Sequence, residues 1–286
     1  MKYAVIDIGS NSVRLLLWSD GKTLYKTLNT TRLGEGLALT GKLSDDAILR
    51  TSLAIRDFKQ QAKAENADRV YAFATAAVRS ATNGKAFTQA VKEIANLDVD
   101  VISGEEEAAI GLLGALEGKD GGIIDIGGGS TELTLQKNNS VAYSKSLDIG
   151  AVRLFDMCGR DRNKLEEVIQ NKILSYGKVE CNVPMYGIGG TATSLAALSL
   201  GLKEYQAQKV QDYVLTRTKL KTLTEELFTL SPEQIVEKSC LPLKRAEIIA
   251  GGALLLYRLL GYLRVEEITV SEKDNLEGYI LKRISE

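Results

Sequence analysis

The sequence predicts a two-domain α/β protein, made by internal duplication, with a mixed sheet at the centre of each half. Three observations carry this. "VIDIGSNSVRLLL" (residues 5–17) and "IIDIGGGSTELTL" (residues 123–135) state one device twice, 118 positions apart from Asp7 to Asp125. Each copy continues into the same strand–turn–strand layout. After each copy the pattern changes to strands alternating with amphipathic helices, which is how α/β layers read in sequence. A chain of 286 residues has room for two cores.

The elements follow in order. An apolar strand over 3–8 enters the first turn and a strand over 13–18 leaves it. "SDGK" (19–22) offers an Asp-Gly hairpin turn into a third strand over 23–28. Ser44 is placed to cap a helix that carries Ile48, Thr51, Ile55, Phe58 and Ala62 on one face. A strand over 69–75, a helix over 85–95, a strand over 99–103 and a helix over 105–116 complete the first half. "GKDGG" (118–122) marks the boundary, giving domains 1–118 and 119–273, with a last helix over about 274–286 packing back on the first. The second half repeats the opening with strands over 122–126, 132–136 and 141–147. A helix over about 163–176, a strand over 185–190 and a helix over 191–200 come next. Pro232 opens a short helix, residues 243–263 form a long core helix, and a strand over 266–270 precedes the last helix.

Composition narrows the chemistry. The chain has no histidine, which removes Ser-His-Asp and Cys-His nucleophilic machinery and imidazole zinc sites. Proton transfer near neutral pH then falls to carboxylates, lysine, tyrosine or water. A net charge of −1 speaks against a nucleic-acid surface, so an anionic ligand needs a local site. No apolar run reads as a membrane span, and Asp7 inside the first apolar stretch argues against a signal peptide. Three cysteines without C-x-x-C spacing fit reduced thiols, so a cytoplasmic protein is expected.

Two loops carry the leading chemical signal. In "DIGSNS" a tight turn at Gly9 points successive N–H groups into one volume, and Ser10, Asn11 and Ser12 add side-chain donors. "DIGGGS" repeats this with Gly127, Gly128, Gly129 and Ser130. Such nests bind phosphate oxygens. Asp7 and Asp125 would repel phosphate, so their natural partner is a divalent cation, Mg²⁺ with Mn²⁺ as the alternative. Two halves facing each other would set the nests on opposite walls of a central cleft. "VISGEEEA" (101–108) puts three acids at the start of a helix, where a glutamate can take a proton from a water aimed at phosphorus. The same acids also suit the helix dipole alone. Arg79, in "ATAAVRSATNG", can clamp phosphate, or make an ordinary ion pair. "YGIGGTATSLAAL" offers Gly189, Gly190 and Thr191 at a helix N-terminus.

In order along the chain, "DIGSNSVRL", "ATAAVRSATNG", "VISGEEEA", "IIDIGGGSTEL", "LDIGAVRL", "GIGGTATSLAAL" and "RAEIIAGGALLL" resemble the exopolyphosphatase / guanosine pentaphosphate phosphohydrolase family. That family is a branch of the actin-like, sugar-kinase-like ATPase superfamily. The resemblance implies a duplicated ribonuclease H-like fold and hydrolysis of a terminal phosphoanhydride. It implies Glu107 as catalytic base, Asp125 and Glu132 on magnesium with Asp7 beside it, and Arg79 on the transferred phosphate. It further implies polyphosphate or guanosine penta- or tetraphosphate as ligand and a homodimer as a common assembly, with no nucleic acid and no membrane. Larger members add domains with a histidine-liganded metal module. With no histidine that second chemistry is not expected here, and short chains are the expected substrate. The family's closing Ser-x-x-Gly-Leu-Arg-Glu-Gly reads "SEKDNLEG" (271–278), so the arginine is gone and Arg245 is the cation nearby in sequence pattern. Two other readings stay open: an alarmone- or polyphosphate-binding regulator with weak catalysis, and a sugar-kinase-like phosphotransferase.

Overall fold

The computed structural model describes residues 1–285, so Glu286, the end of the expected last helix, lies outside the described residues. The first sheet holds β1 (Lys2–Ile8), β2 (Val13–Ser19), β3 (Lys22–Asn29), β4 (Arg69–Ala74) and β5 (Asp100–Val101), in the order β3-β2-β1-β4-β5. β1 runs antiparallel to β2 and parallel to β4. The second sheet holds β6 (Gly121–Ile126), β7 (Thr131–Lys137), β8 (Ser140–Leu147), β9 (Met185–Ile188), β10 (Val214–Thr216) and β11 (Glu267–Val270), in the order β10-β11-β9-β6-β7-β8. Apart from β10 the two orders correspond strand for strand. This is the duplicated ribonuclease H-like arrangement of an actin-like fold.

The duplication reaches single residues. Asp7 faces Arg14 across β1 and β2, and Asp125 faces Glu132 across β6 and β7. The ladder slips between Leu17 and Trp18 in one half and between Leu135 and Gln136 in the other, the same place in each repeat. A bulge of this kind increases local twist and is kept as part of a design.

Both faces of the first sheet are covered at its centre, which is why β1 and β2 read as nearly continuous apolar runs while edge strand β3 does not. Ile6, Leu15 and Leu17 point to the helices Asp45–Ala64 and Gly84–Ala95, burying Ile55, Phe58, Phe87 and Val91. Val5, Leu16 and Phe73, one position out of phase, point to Ile110 of the helix Gly104–Leu116 and to Leu276, Tyr279 and Ile280 of the helix Asn275–Ser285. Gly104–Leu116 belongs to both halves, since its Leu112 and Leu116 pack on Ile123 and Ile188 of the second sheet. It packs closely on the last helix, because a side chain at Gly278 would collide with the carbonyl oxygen of Ile110.

Differences from the sequence reading have local causes. β5 keeps only Asp100–Val101 of the expected 99–103, because Ser103 instead caps the next helix. The helix expected from Thr191 begins at Gly189, and the short helices Leu37–Thr40, Ala76–Ser80 and Ala151–Cys158 went unread. Leu243–Leu263, contrary to the reading that no apolar run is long enough, could cross a membrane by length and composition. It is the one such helix among the described residues, and Leu254, Leu255, Leu259 and Leu260 are wholly buried in the second core.

Candidate active site

The two glycine loops follow β1 and β6 and close on themselves in the same way. Gly9 N–H donates to the Ser12 carbonyl at 3.1 Å, and Gly127 N–H donates to the Ser130 carbonyl at 3.0 Å. Their other carbonyls are taken from behind. Gly34 and Arg32 N–H groups hold the Ser10 and Asn11 carbonyls, both at 2.8 Å. The N–H groups of Ala151, Val152 and Arg153 hold those of Gly127 and Gly128 at 2.9–3.0 Å. Among the described residues, the N–H groups of Ser10, Asn11, Gly128 and Gly129 then have no protein acceptor. Acceptors point outward and donors point in, which is the polarity an anion requires.

The loops meet. A Cβ at Gly128 would stand 2.7 Å from Ser10 Cβ and 3.2 Å from Asn11 N, and one at Gly129 would stand 2.9 Å from Ser10 Oγ. Only bare backbone allows this approach. One cavity of about 80 Å³ is lined by both loops together with Asp7, Glu107, Asp125, Gly189, Gly190, Arg245 and Asn275. It shares the lining residues Ser12, Arg14, Gly189, Gly190 and Arg245 with a chamber of about 260 Å³ walled by Lys26, Leu28, Tyr205, Leu241 and Pro242.

Of the acidic triplet, only Glu107 is buried. Glu106 is spent on a capping box, accepting from Ser103 N–H at 3.0 Å while Ser103 Oγ accepts from Glu106 N–H at 3.1 Å. Burial, then the charge of Glu132, pushes Glu107 up to about 8, against the pull of Arg79. Burial and the charge of Glu107 push Asp125 up to about 8, and burial with Asp125 pushes Glu132 up to about 7. Three buried acids thus share one region with too little positive charge.

Asp7 is placed differently from the expectation. Arg14 grips its Oδ2 through Nη2 at 2.5 Å and Nε at 3.0 Å, and its other arm pairs with Asp274. The Asp7 carboxylate is therefore already neutralised by protein, and burial still raises its pKa. Arg79 also differs. Its Nη1 donates to Glu107 Oε2 at 3.0 Å and to the Ile102 carbonyl at 2.9 Å, so it grips the acid expected as base. Thr191 turns its hydroxyl away, to the Ile126 carbonyl at 2.7 Å, and is a strut beneath the second loop. Gly189, at φ +75°, lets its backbone lie against Asp125, and Gly190 lies against the Arg245 guanidinium.

Sequence reasoning missed Arg14, Asp274 and Asn275. Asn275 Nδ2 donates to Asp125 Oδ2 at 3.1 Å. Arg14 had a readable signal, since it holds in the first repeat the position that Glu132 holds in the second. Arg245 is a half-buried cation pushed down to about 10 by lost hydration and by repulsion from Arg14, so it keeps its charge at neutral pH.

Two observations bear on a cation here. Asp125 and Glu132 are buried acids with no ion-pair partner among the described residues. Buried oxygens Glu132 Oε2 and Asn11 Oδ1 have no hydrogen-bond partner, and these are donor types that a hard cation accepts beside water and phosphate.

Comparison with known proteins agrees in family, length and shape. A sequence model of the Ppx/GppA phosphatase family matches residues 18–286. Exopolyphosphatase 2 of Mycobacterium tuberculosis is 31% identical, the match covering 98% of this chain and 98% of that protein. The guanosine-5'-triphosphate,3'-diphosphate pyrophosphatase of Photobacterium profundum is 29% identical over 99% of this chain but only 59% of its own length. Among solved structures, the Aquifex aeolicus Ppx/GppA phosphatase, type II variant, is 30% identical with a TM-score of 0.75, covering 99% of each chain. An exopolyphosphatase from Cytophaga hutchinsonii shares the fold with a TM-score of 0.88 at 24% identity, covering 100% of this chain and 98% of that one.

Proposed function

This chain belongs to the Ppx/GppA phosphatase family and is a phosphoanhydride hydrolase, and we propose that it removes the terminal phosphate from short linear polyphosphate. The observation that carries the reading is the pair of abutting amide nests with one buried glutamate, Glu107, facing the same cavity.

The N–H groups of Ser10, Asn11, Gly128 and Gly129 bind and orient the terminal phosphate, with Ser12 and Ser130 lining the same walls. Arg79 holds Glu107 Oε2, which fixes the carboxylate and leaves Oε1 for a water. That water forms the new P–O bond while its proton passes to Glu107. The anhydride P–O bond breaks and its electron pair leaves with the shortened chain, whose oxyanion the nests and Arg245 receive. Asp125 and Glu132, with Asn11 Oδ1, would hold the magnesium ion, with manganese as the alternative. When bound, it supplies neutralisation of phosphoryl charge. Arg79 lowers the proton affinity of Glu107 but leaves it at about 8, so the acid becomes a base at neutral pH only when a cation bound among its neighbours lowers that affinity further.

Phosphate release from tripolyphosphate with magnesium tests the reading, with Glu107→Gln alongside. Loss of the base should lower kcat by about 10²–10⁴-fold while thermal stability is kept. An undiminished variant, or no release from any polyphosphate or from guanosine pentaphosphate, overturns it. Guanosine pentaphosphate belongs in the panel because the adjoining chamber offers the apolar walls Leu28, Leu241 and Pro242.

A further inference from the structure

Beyond the nests the cleft opens into the chamber of about 260 Å³, the route along which a longer polyanion would extend. It carries three cations, Arg14, Lys26 and Arg245. Two of them are already taken. Arg14 Nη1 pairs with Asp274, while its other nitrogens hold Asp7. Lys26 Nζ lies 2.8 Å from Glu277 Oε2 and 3.8 Å from Asp274 Oδ1, and it donates to the Glu272 carbonyl at 2.6 Å. Only Arg245 lacks an acidic partner among the described residues. Asp274 stands at the junction of these pairs, with its side chain 5% exposed.

Asp274 also has a local structural task. Its Oδ1 accepts from Leu276 N–H at 3.0 Å, and its own N–H donates to Glu277 Oε2 at 3.1 Å, a capping box for the last helix. A cap does not need a charge, since asparagine and serine serve about as well. The charge therefore calls for its own explanation. In sequence pattern, residues 274–276 stand where the family resemblance has Gly-Leu-Arg, so an acid has appeared and a cation has gone.

We propose that Asp274 is a specificity-determining residue that ends the polyphosphate site after its first few phosphates, by occupying the cations a longer chain would need. The inference rests on the polyphosphatase reading of the site. Each inner phosphate of a linear chain carries about one negative charge, and it must give up hydration to enter. Taking a charge out of water without a partner is costly. A chamber whose cations are already paired cannot return that cost. It admits the tail of a short chain and rejects a long one.

The test uses Asp274→Asn and Asp274→Ser, both of which keep a helix cap. Initial rates are measured on tripolyphosphate and on long-chain polyphosphate, and binding of both polymers is measured by calorimetry in a Glu107→Gln background. Releasing the Nη1 arm of Arg14, while Nε and Nη2 stay on Asp7, should raise kcat/KM for the long chain relative to tripolyphosphate by about tenfold, the worth of one charge-assisted hydrogen bond. The gain should lie in KM rather than kcat and shrink as salt is raised. Tripolyphosphate hydrolysis with an unchanged length preference and unchanged long-chain binding in both variants overturns the proposal and leaves the polyphosphatase reading intact. The absence of hydrolysis in the wild type, alongside a long-chain binding gain in the variants, does the reverse.

Discussion

Gly128→Ala tests whether the two loops act as one site. The added Cβ would lie 2.7 Å from Ser10 Cβ, 3.1 Å from Val152 Cγ2 and 3.2 Å from Asn11 N. Carbon atoms in contact rest at about 3.5–4.0 Å, so the shortfall against Ser10 is about 1 Å. None of these neighbours is the tip of a flexible side chain. The Ser10 and Asn11 carbonyls are held by Gly34 and Arg32, and the Gly128 carbonyl by Val152 and Arg153, so neither loop can retreat without breaking its brace. The strain is relieved by spreading the cleft. Misplacing reacting groups by about 1 Å costs about 10²-fold in rate. Overpacking a tight site costs about 1–3 kcal/mol in stability.

The assay is phosphate release from tripolyphosphate with a thermal melt on the same sample. Gly251→Ala serves as control. Its Cβ would meet nothing nearer than Leu165 Cδ2 at 3.6 Å, and Gly251 sits within the helix Leu243–Leu263. Alanine there should raise stability by about 1 kcal/mol with the rate unchanged. A Gly128→Ala enzyme with wild-type rate and melting temperature would refute the claim that the loops bear on each other.

Three further outcomes follow from the same geometry. Arg79→Met should cut kcat by about 10–100-fold, the worth of a hydrogen bond to a charged group, and move the acid limb of the pH–rate profile upward, because Glu107 loses the cation that draws off its proton. Arg245→Gln should raise KM about tenfold through loss of a charge-assisted contact. Its melting temperature should hold or rise as a half-buried cation, repelled by Arg14 and without an acidic partner among the described residues, is removed, and calorimetry of phosphate binding checks the affinity. Thermal stability without metal should fall with pH. Glu107 and Asp125 are pushed up to about 8 and Glu132 to about 7, so over the range from their ordinary values of 4.5 and 3.8 the folded state keeps protons the unfolded chain has released. Stability then declines as pH rises through that window, with the full penalty above about pH 8. Added magnesium should raise the melting temperature more at the alkaline end than at the acid end, and an equal rise at both ends would count against a cation among these acids.

What could be read from sequence was what is local. The nests are contiguous residues on a turn whose flanking strands have a fixed two-residue period, so Ser10, Asn11, Gly128 and Gly129 could be placed without coordinates. The acidic triplet could be placed by its position after a strand, while the choice of Glu107 within it came from the family resemblance. The short helices Ala76–Ser80 and Ala151–Cys158 span too few residues for a helical period to register. Orientation was not legible either. Thr191 sits in a glycine-rich turn, yet its hydroxyl serves the Ile126 carbonyl, and Arg79 reaches Glu107 where phosphate was expected. The pairs Arg14–Asp274 and Asn275–Asp125 join residues that only the folded chain brings together, because the last helix returns to the first half across Gly104–Leu116.

The departure from symmetry is as informative as the repeat. Both halves place an aspartate opposite the same ladder position, and each nest closes through the same glycine N–H to serine carbonyl bond. At that ladder position the first half carries Arg14 and the second Glu132. With arginine in both, every carboxylate would have a protein partner and no charge would be left for a cation. With glutamate in both, the cleft would gain one more acid and leave Asp7 without its partner, and the added negative charge would repel phosphate. One of each gives a braced wall, where Asp7 is locked by Arg14, and a charged wall, where Asp125 and Glu132 stay unsatisfied. Grip can be symmetric, because phosphate oxygens are alike on every side. The proposed in-line attack is not, since water would enter on one side and the chain leave on the other, and the exchange between Arg14 and Glu132 is where the two halves of the site differ.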